Sequence, residues 1–385
     1  MKRLLIEQRE TSIRAALTEK DQLTEIYIDK ASKVGQIVVG RIRTIMPGQF
    51  AFIDIGSGKN AFANLKKGHD FKSGQPILVQ VQKDASSTKG AYVSCDITLK
   101  GWHVILHKQA EVGVSRKIDD EKESRRLKKM VKSILPPGYG AIVRTNAKGC
   151  DKDTILQEIT ELHKIYEEIL DRANYALPPA KLYPKVSHER ILNDILSEDL
   201  SEIHISGTEF TALQDYICNK VPGLTGRIFH HDDKLFESMG IKKQIRAALE
   251  KAVPLPCGGF IVIEETEACV AIDINTGNNV SAQSYGETVL ATNLNATKVI
   301  FDQIILRNLS GIIIIDFIDM EKKADNAALM AALINEAKRD RTNPEILELS
   351  KLGIVQIARP KRRLSLSKIL ESNCPHCGGR GRVIG

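Results

Sequence analysis

The sequence predicts a multidomain protein of mixed α/β and α+β class, and three observations carry that expectation. Between residues 36 and 99, short apolar segments are divided by Pro47-Gly48, Gly56-Ser57-Gly58, Lys67-Gly68 and Ser73-Gly74, the rhythm of a small β-barrel. Between residues 154 and 171, Ile155, Ile159, Leu162, Tyr166 and Ile169 recur on one face of a helix. Residues 268–275 and 311–320 hold β-branched apolar runs that read as strands buried on both faces, and each run closes on an acid, Asp273 or Asp316.

Composition sets broad limits. A chain of 385 residues holds two to four domains, and 42% hydrophobic with 27% charged residues is typical of a soluble globular protein. No apolar run reaches the length of a membrane span, and Met1-Lys2-Arg3-Leu4-Leu5 leads into charged residues, so a cytoplasmic protein is expected. Five of the seven cysteines are scattered singly, which suggests reduced thiols apart from Cys374 and Cys377. The net charge of +7, from 55 basic and 48 acidic residues, favours an anionic partner. Basic clusters occur at Arg125-Arg126 with Lys128-Lys129, at Lys361-Arg362-Arg363, and at Arg380 with Arg382; the first reads most simply as a solvated helix face.

Taken in order, residues 1–34 form strands at 2–8, 12–18 and 23–29, too small a set to fold alone. Residues 35–100 are the barrel, with strands at 36–45, 50–55, 61–65, 76–83 and 91–99; an OB-fold fits the count. Phe52 and Phe62 are either base-stacking platforms, with Lys89 as a phosphate contact, or barrel core. Residues 101–187 carry helices at 121–134 and 154–171 around a strand at 140–144. The strand ends in Arg144-Thr145, donors suited to a terminal phosphate or an exposed pair at a turn. Residues 188–253 alternate helical and strand-like patterns at 189–200, 204–206, 210–221 and 241–249. His230-His231-Asp232-Asp233 reads as a solvated, charged loop without chemistry.

From residue 254 the two acid-terminated runs dominate. Between them, Val289, Leu290, Leu294, Ile300, Ile304 and Ile305 recur at helical spacing, long enough for a crossover that returns the chain parallel to its start. That connection places Asp273 and Asp316 at the same edge of neighbouring strands, with Asn275 on the face of Asp273. The crevice at the carboxyl ends of parallel strands is where open α/β sheets bind ligands, and paired carboxylates suit magnesium-assisted phosphodiester chemistry. The alternative is that the acids cap the segments that follow. Asp319 faces the other way or lies in the following turn. Cys374-Pro375-His376-Cys377, followed by Gly378-Gly379, has the shape of a zinc knuckle that supplies two thiolates.

AIDIN, IIIIDFIDM and CPHCGGRG, in that order, resemble the ribonuclease E/G family, with a minimal, ribonuclease G-like form the nearest. The run 35–42 followed by 52–56 is similar to the RNA-binding barrel first described in a ribosomal protein. The resemblance implies a ribonuclease H-like subdomain from residues 1–34 and 188–253, with an OB-fold (35–100) and a five-prime sensor (101–187) inserted. A deoxyribonuclease I-like catalytic subdomain (254–372) and a zinc-link tail (373–385) follow. It implies Asp273 and Asp316 as magnesium ligands, Asn275 as the residue that orients the scissile phosphate, and RNA contacts at Phe52, Phe62 and Lys89. A five-prime monophosphate is expected against Arg116, Arg144, Thr145 and the Ile105 amide. Cys374 and Cys377 are expected to share a zinc with a second subunit, in a homodimer or tetramer.

The expected activity is magnesium-dependent endonucleolytic cleavage of single-stranded RNA in rRNA processing and mRNA decay, leaving a five-prime phosphate and a three-prime hydroxyl. Two departures stand out. Residues 276–286 carry no Lys or Arg, and a single Glu287 precedes Thr288 where relatives have a Glu-Glu pair. The chain also ends eight residues after Cys377, without the further domains some relatives add. A non-catalytic RNA-binding protein with a vestigial metal site is the alternative reading, and a different phosphotransfer enzyme with an OB-fold is a weaker third.

Overall fold

The computed structural model describes residues 1–9, 12–28, 33–48, 50–65, 71–85, 89–183, 188–197, 199–232, 234–276, 285–350, 352–372 and 374–379. The chain divides into two compact units. One comprises residues 1–30, 199–214 and 224–385, the other residues 31–198 and 215–223.

The first unit holds two sheets. Strands Lys2–Arg9, Ser12–Glu19 and Gln22–Ile28 form an antiparallel meander. Glu202–Ser206 adds parallel to the first of them, and Ile228–His231 adds parallel to Glu202–Ser206 as the edge strand. His230 and His231 therefore end a strand, and His231 Nε2 lies 2.9 Å from His204 Nδ1. This corrects the expectation of a loop; the β-branched and aromatic start Ile228-Phe229 favours pairing over turn formation. Asp233 lies outside the described residues.

The second sheet has six strands. Ala252–Pro254, Phe260–Glu265, Cys269–Asn275, Gly311–Asp316, Ile354–Arg359 and Glu345–Ile346 follow one another across it. Cys269–Asn275 and Gly311–Asp316 are parallel neighbours, joined by the crossover helix Tyr285–Leu306. That helix and Lys323–Ala337 bring Ala296, Ile300, Phe301, Ile304, Leu329 and Leu333 onto Val270, Ile272, Ile274, Ile313 and Ile315. Only one face of these two strands is covered: Ala271, Asp273, Ile312 and Asp316 are exposed, Ile312 at 54%. The expectation of strands buried on both faces is corrected accordingly. Both helices pack on the same side, and among the described residues of this unit nothing buries Ala271, Asp273, Ile312 or Asp316 on the other.

A buried ion pair locks the far end of this sheet. Arg359 donates through Nε to Asp340 Oδ2 at 2.5 Å, and through Nη1 to Asn308 Oδ1 at 3.0 Å and to the Leu309 carbonyl at 2.8 Å. Thr342 donates to Asp340 from its backbone and its hydroxyl. Burial pushes the Asp340 carboxyl up, but Arg359 and the Thr342 donors outweigh it and hold it below its usual range.

The second unit holds the barrel and a four-stranded sheet. Ile37–Met46, Phe50–Asp54, Ala61–Asn64, Tyr92–Ser94 and Pro76–Lys83 pair in a ring that closes between Ile37–Met46 and Pro76–Lys83. Val38, Ile42, Ala51, Ile53, Ala63, Val79, Val81 and Val93 fill its interior. Gly40 leaves no room for a side chain in the wall, because a Cβ there meets Ile53 Cγ2 at 2.6 Å. The fifth predicted strand is two: Thr98–Lys100 leaves the barrel for the neighbouring sheet. In that sheet Val104–His107, Gly140–Val143 and Val112–Val114 follow, the last two parallel.

Helices Glu121–Ile134 and Lys152–Tyr175 cover this sheet. Asp120 caps the first by accepting from the Lys122 and Glu123 amides, and Asp151 caps the second by accepting from the Thr154 amide. Ile155, Ile159, Leu162, Tyr166 and Ile169, the predicted face, are all buried. Truncating any one of the larger aliphatics to Ala costs about 2–5 kcal/mol.

Candidate functional site

The parallel register sets Asp273 and Asp316 directly against each other as Cα partners. Adjacent strands are about 4.8 Å apart, so the two carboxylates repel unless a cation lies between them. Both are exposed, and no Lys or Arg forms an ion pair with either among the described residues. Asn275 Nδ2 donates to Asp273 Oδ2 at 2.9 Å and fixes the orientation of that carboxylate. Gly259 lies against the end of the same strand, where a Cβ comes within 2.4 Å of the Asn275 carbonyl oxygen. The loop before residue 260 is thereby held tight under Asn275.

The strand that bears Asp316 is fixed from two sides. Asn293, fully buried in the crossover helix, donates through Nδ2 to the Ile318 carbonyl at 2.8 Å and accepts from the Ile318 amide at 3.2 Å. The Phe317 amide donates to the Gly353 carbonyl at 3.3 Å. One side-chain amide thus satisfies both backbone polar groups of Ile318, two residues beyond Asp316. Sequence reading missed Asn293, although a polar residue between Leu290 and Leu294 on an apolar stripe marks a buried partner. Asp319 lies beyond the strand and outside the carboxylate pair. Most of the loop 276–286 lies outside the described residues.

On the barrel, period-2 alternation turns Phe50 and Phe52 outward, at 37% and 36% exposure. They meet Phe62 on the next strand, Phe50 stacked at 5.4 Å between ring centroids and Phe52 edge-on at 5.9 Å. Tyr92 continues the row at 6.2 Å from Phe62, with Lys83 Nζ 5.9 Å from its centroid. Phe52 and Phe62 are therefore surface aromatics and not barrel core. Phe50 and Tyr92 join them unpredicted, although Phe50-Ala51-Phe52 already gives the shared face. Lys89 is exposed at the approach to Ala91, whose carbonyl accepts from the Phe62 amide.

In the four-stranded sheet, Arg116 and Thr145 each follow by two residues the ends of paired parallel strands, at Val114 and Val143. Both are exposed, and Ile105 lies half-buried on the adjoining strand. Arg144 is placed differently. Its guanidinium donates to the Gly101 carbonyl at 2.6 Å and to the Asn193 carbonyl at 2.9 Å, and lies 3.6 Å from the Asp194 carboxylate. Beneath it, Glu158 accepts from the His103 and Val104 amides and meets His103 Nδ1 at 2.9 Å. Burial raises the Glu158 carboxyl, but the His103 and backbone bonds outweigh burial and hold it below its usual range.

Cys374 is exposed and Cys377 half-buried in a turn closed by the Gly378 amide donating to the Cys374 carbonyl. Left-handed Gly378 and Gly379 continue it. No disulfide joins any of the seven cysteines, and among the described residues no group of three or more His, Cys, Asp and Glu side chains converges as a metal site. Arg380 and Arg382 lie outside the described residues.

A carboxylate pair at parallel strand ends, with an aromatic row on a separate barrel, is compatible with an enzyme that acts on nucleic acid. Comparison with known proteins makes this specific. The profile of the Ribonuclease E/G family matches residues 98–362. The chain is 35% identical to Ribonuclease G of Haemophilus influenzae over 99% of its own length and 84% of that protein. It is 32% identical to Ribonuclease G of Escherichia coli K12, with the same coverage. It is also 32% identical to Ribonuclease E of Nostoc sp. PCC 7120, over 96% of this chain and 57% of that protein. The chain belongs to the ribonuclease E/G family and is an endoribonuclease of RNA processing. No helix among the described residues is long and apolar enough to cross a membrane.

Proposed function

We propose that the protein is a magnesium-dependent endonuclease of single-stranded RNA, stimulated by a five-prime monophosphate and leaving a five-prime phosphate and a three-prime hydroxyl. The carrying observation is the register that pairs Asp273 with Asp316 at exposed strand ends, with Asn275 bonded to Asp273. Two like-charged carboxylates on neighbouring strands, with no Lys or Arg ion-paired to them among the described residues, fit a hard divalent cation. Magnesium held there supplies positive charge against the scissile phosphate and acidifies a water. Asp273 and Asp316 would hold the cation. Asn275 holds Asp273 with one amide hydrogen and offers the other to a phosphate oxygen.

Phe50, Phe52, Phe62 and Tyr92 stack bases, and Lys89 contacts phosphate. Arg116, Thr145 and the Ile105 amide take the terminal phosphate, with Arg144 as the floor of that pocket. The five-stranded sheet, with its meander and two parallel additions, supports the ribonuclease H-like assignment of residues 1–34 and 188–253. Residues 254–372 are assigned as the deoxyribonuclease I-like subdomain. Cys374 and Cys377 provide half of a tetrahedral zinc site, completed by a second subunit in a homodimer or a larger assembly.

The test is a short single-stranded RNA bearing either a five-prime monophosphate or a five-prime hydroxyl, incubated with magnesium or EDTA. Magnesium-dependent cleavage, faster on the monophosphate, is expected. Tight binding with no cleavage in magnesium refutes this reading and leaves an RNA-binding protein with a vestigial site.

A further inference from the structure

The helix Glu121–Ile134 turns an almost uniformly basic face to solvent. Arg125 lies three and four residues before Lys128 and Lys129, which lie four and three before Lys132, the spacings that line up side chains along one stripe, and Lys122, three before Arg125, continues it toward the amino end. All five are exposed. Arg125 meets Glu121 at 2.6 Å, a pair exposed at both partners and of little strength. None of the four lysines forms an ion pair among the described residues.

This helix is bolted to the proposed five-prime pocket. Glu123 accepts from the Gly149 amide at 2.8 Å and takes a bidentate pair from Arg126, at 2.7 and 2.8 Å. Arg126 also donates to the Cys150 carbonyl at 3.0 Å. The Arg126 and Gly149 bonds pull the Glu123 carboxyl down to about 2, so the clamp stays charged at any physiological pH. The clamp holds Gly149 and Cys150, and the Cys150 amide donates to the Ala147 carbonyl at the end of the short helical turn Thr145–Ala147, with the exposed Lys148 between them.

We infer that the outward face of this helix is a track for the RNA phosphate backbone, running from the five-prime pocket along Lys122, Arg125, Lys128, Lys129 and Lys132. The inference rests on the reading of that pocket as the five-prime site. Single-stranded RNA is the occupant because the stripe is basic and carries no aromatic side chain. It supplies sequence-independent phosphate contacts and no base readout. The track also places backbone contacts in a chain whose residues 276–286 contain no Lys or Arg.

The test compares the wild type with Lys128→Glu/Lys129→Glu/Lys132→Glu on a long and a short single-stranded RNA, each with a five-prime monophosphate or hydroxyl, across a salt series. Loss of three phosphate contacts is expected to lower the slope of log Kd against log salt by about 2 on the long RNA, at roughly 0.7 per contact. Affinity for the long RNA falls about tenfold at low salt, while kcat, melting temperature and monophosphate preference stay unchanged. The triple Gln variant gives an intermediate loss.

An unchanged slope, with the wild type still preferring the monophosphate, overturns the track and leaves the pocket standing. Equal weakening on the short RNA also overturns it, since that is the signature of net charge and not of a path. A wild type indifferent to the five-prime group removes the pocket, and with it the origin of the track.

Discussion

Two pairs of parallel strand ends bear the residues of the proposed chemistry, and they treat their polar side chains in opposite ways. At the ends of Cys269–Asn275 and Gly311–Asp316, the carboxylates are exposed and unneutralised, while their supports, Asn275 and Asn293, are uncharged. At the ends of Val112–Val114 and Gly140–Val143, the most prominent charge, Arg144, is committed to the Gly101 and Asn193 carbonyls, and the exposed groups are Arg116 and Thr145. On this reading a charge with internal partners serves first as scaffold, whereas a charge without them is fully available to a ligand. Position at a strand end does not separate the two; the hydrogen-bond partners do.

The largest expected effect follows from the available charges. Asp273→Asn or Asp316→Asn lowers kcat by at least about 10³-fold, several kcal/mol of transition-state charge stabilisation, with melting temperature held or raised by relief of repulsion. Rapid-quench cleavage and calorimetry check this together. At the committed extreme, Arg359→Ala leaves Asp340 buried and unpaired, at about 3–5 kcal/mol of stability. The Asp340 carboxyl is depressed in the folded state relative to an unfolded value near 4. Its contribution is therefore present above about pH 4 and lost as pH falls below it, so the Arg359 variant should show a flatter acid limb in pH-dependent denaturation.

Asn293→Ala sharpens the comparison, because it removes a neutral support and leaves Asp316 in place. Both polar groups of Ile318 lose their partner, at about 1–3 kcal/mol each if they stay dry. A small displacement of Asp316 then lowers kcat by as much as about 10²-fold with KM little changed. The smallest effects belong to the guanidinium pocket. Arg116→Ala is expected to reduce the monophosphate preference several-fold without changing melting temperature. Arg144→Ala should lower melting temperature and preference together. A stable Arg144 variant that loses only the preference makes Arg144 a direct phosphate ligand and breaks the comparison.

Much of this was legible in the sequence because the signals are periodic. Residues 286–309 read as a crossover from their apolar stripe, and the crossover implies that Asp273 and Asp316 lie at the same edge of neighbouring strands, which the helix Tyr285–Leu306 and the parallel register bear out. The helix Glu121–Ile134 and the buried face of Lys152–Tyr175 are readable for the same reason. What escaped is what periodicity does not encode. A run such as Ile312-Ile313-Ile314-Ile315 looks buried on both faces, yet whether a second layer covers the outer face depends on where distant segments pack. Likewise the commitment of Arg144 depends on the Gly101 and Asn193 carbonyls, supplied by segments far away in the chain.

The most direct test of the central claim is a double-mutant cycle on the carboxylate pair. Single-turnover cleavage of a monophosphorylated single-stranded RNA is measured in magnesium for the wild type, Asp273→Asn, Asp316→Asn and the double variant. If the two carboxylates act as one cation site, the double variant is no slower than the slower single one, since either substitution already disables the unit. Fully additive losses, or a single variant that retains wild-type rates, would contradict a site built from the pair.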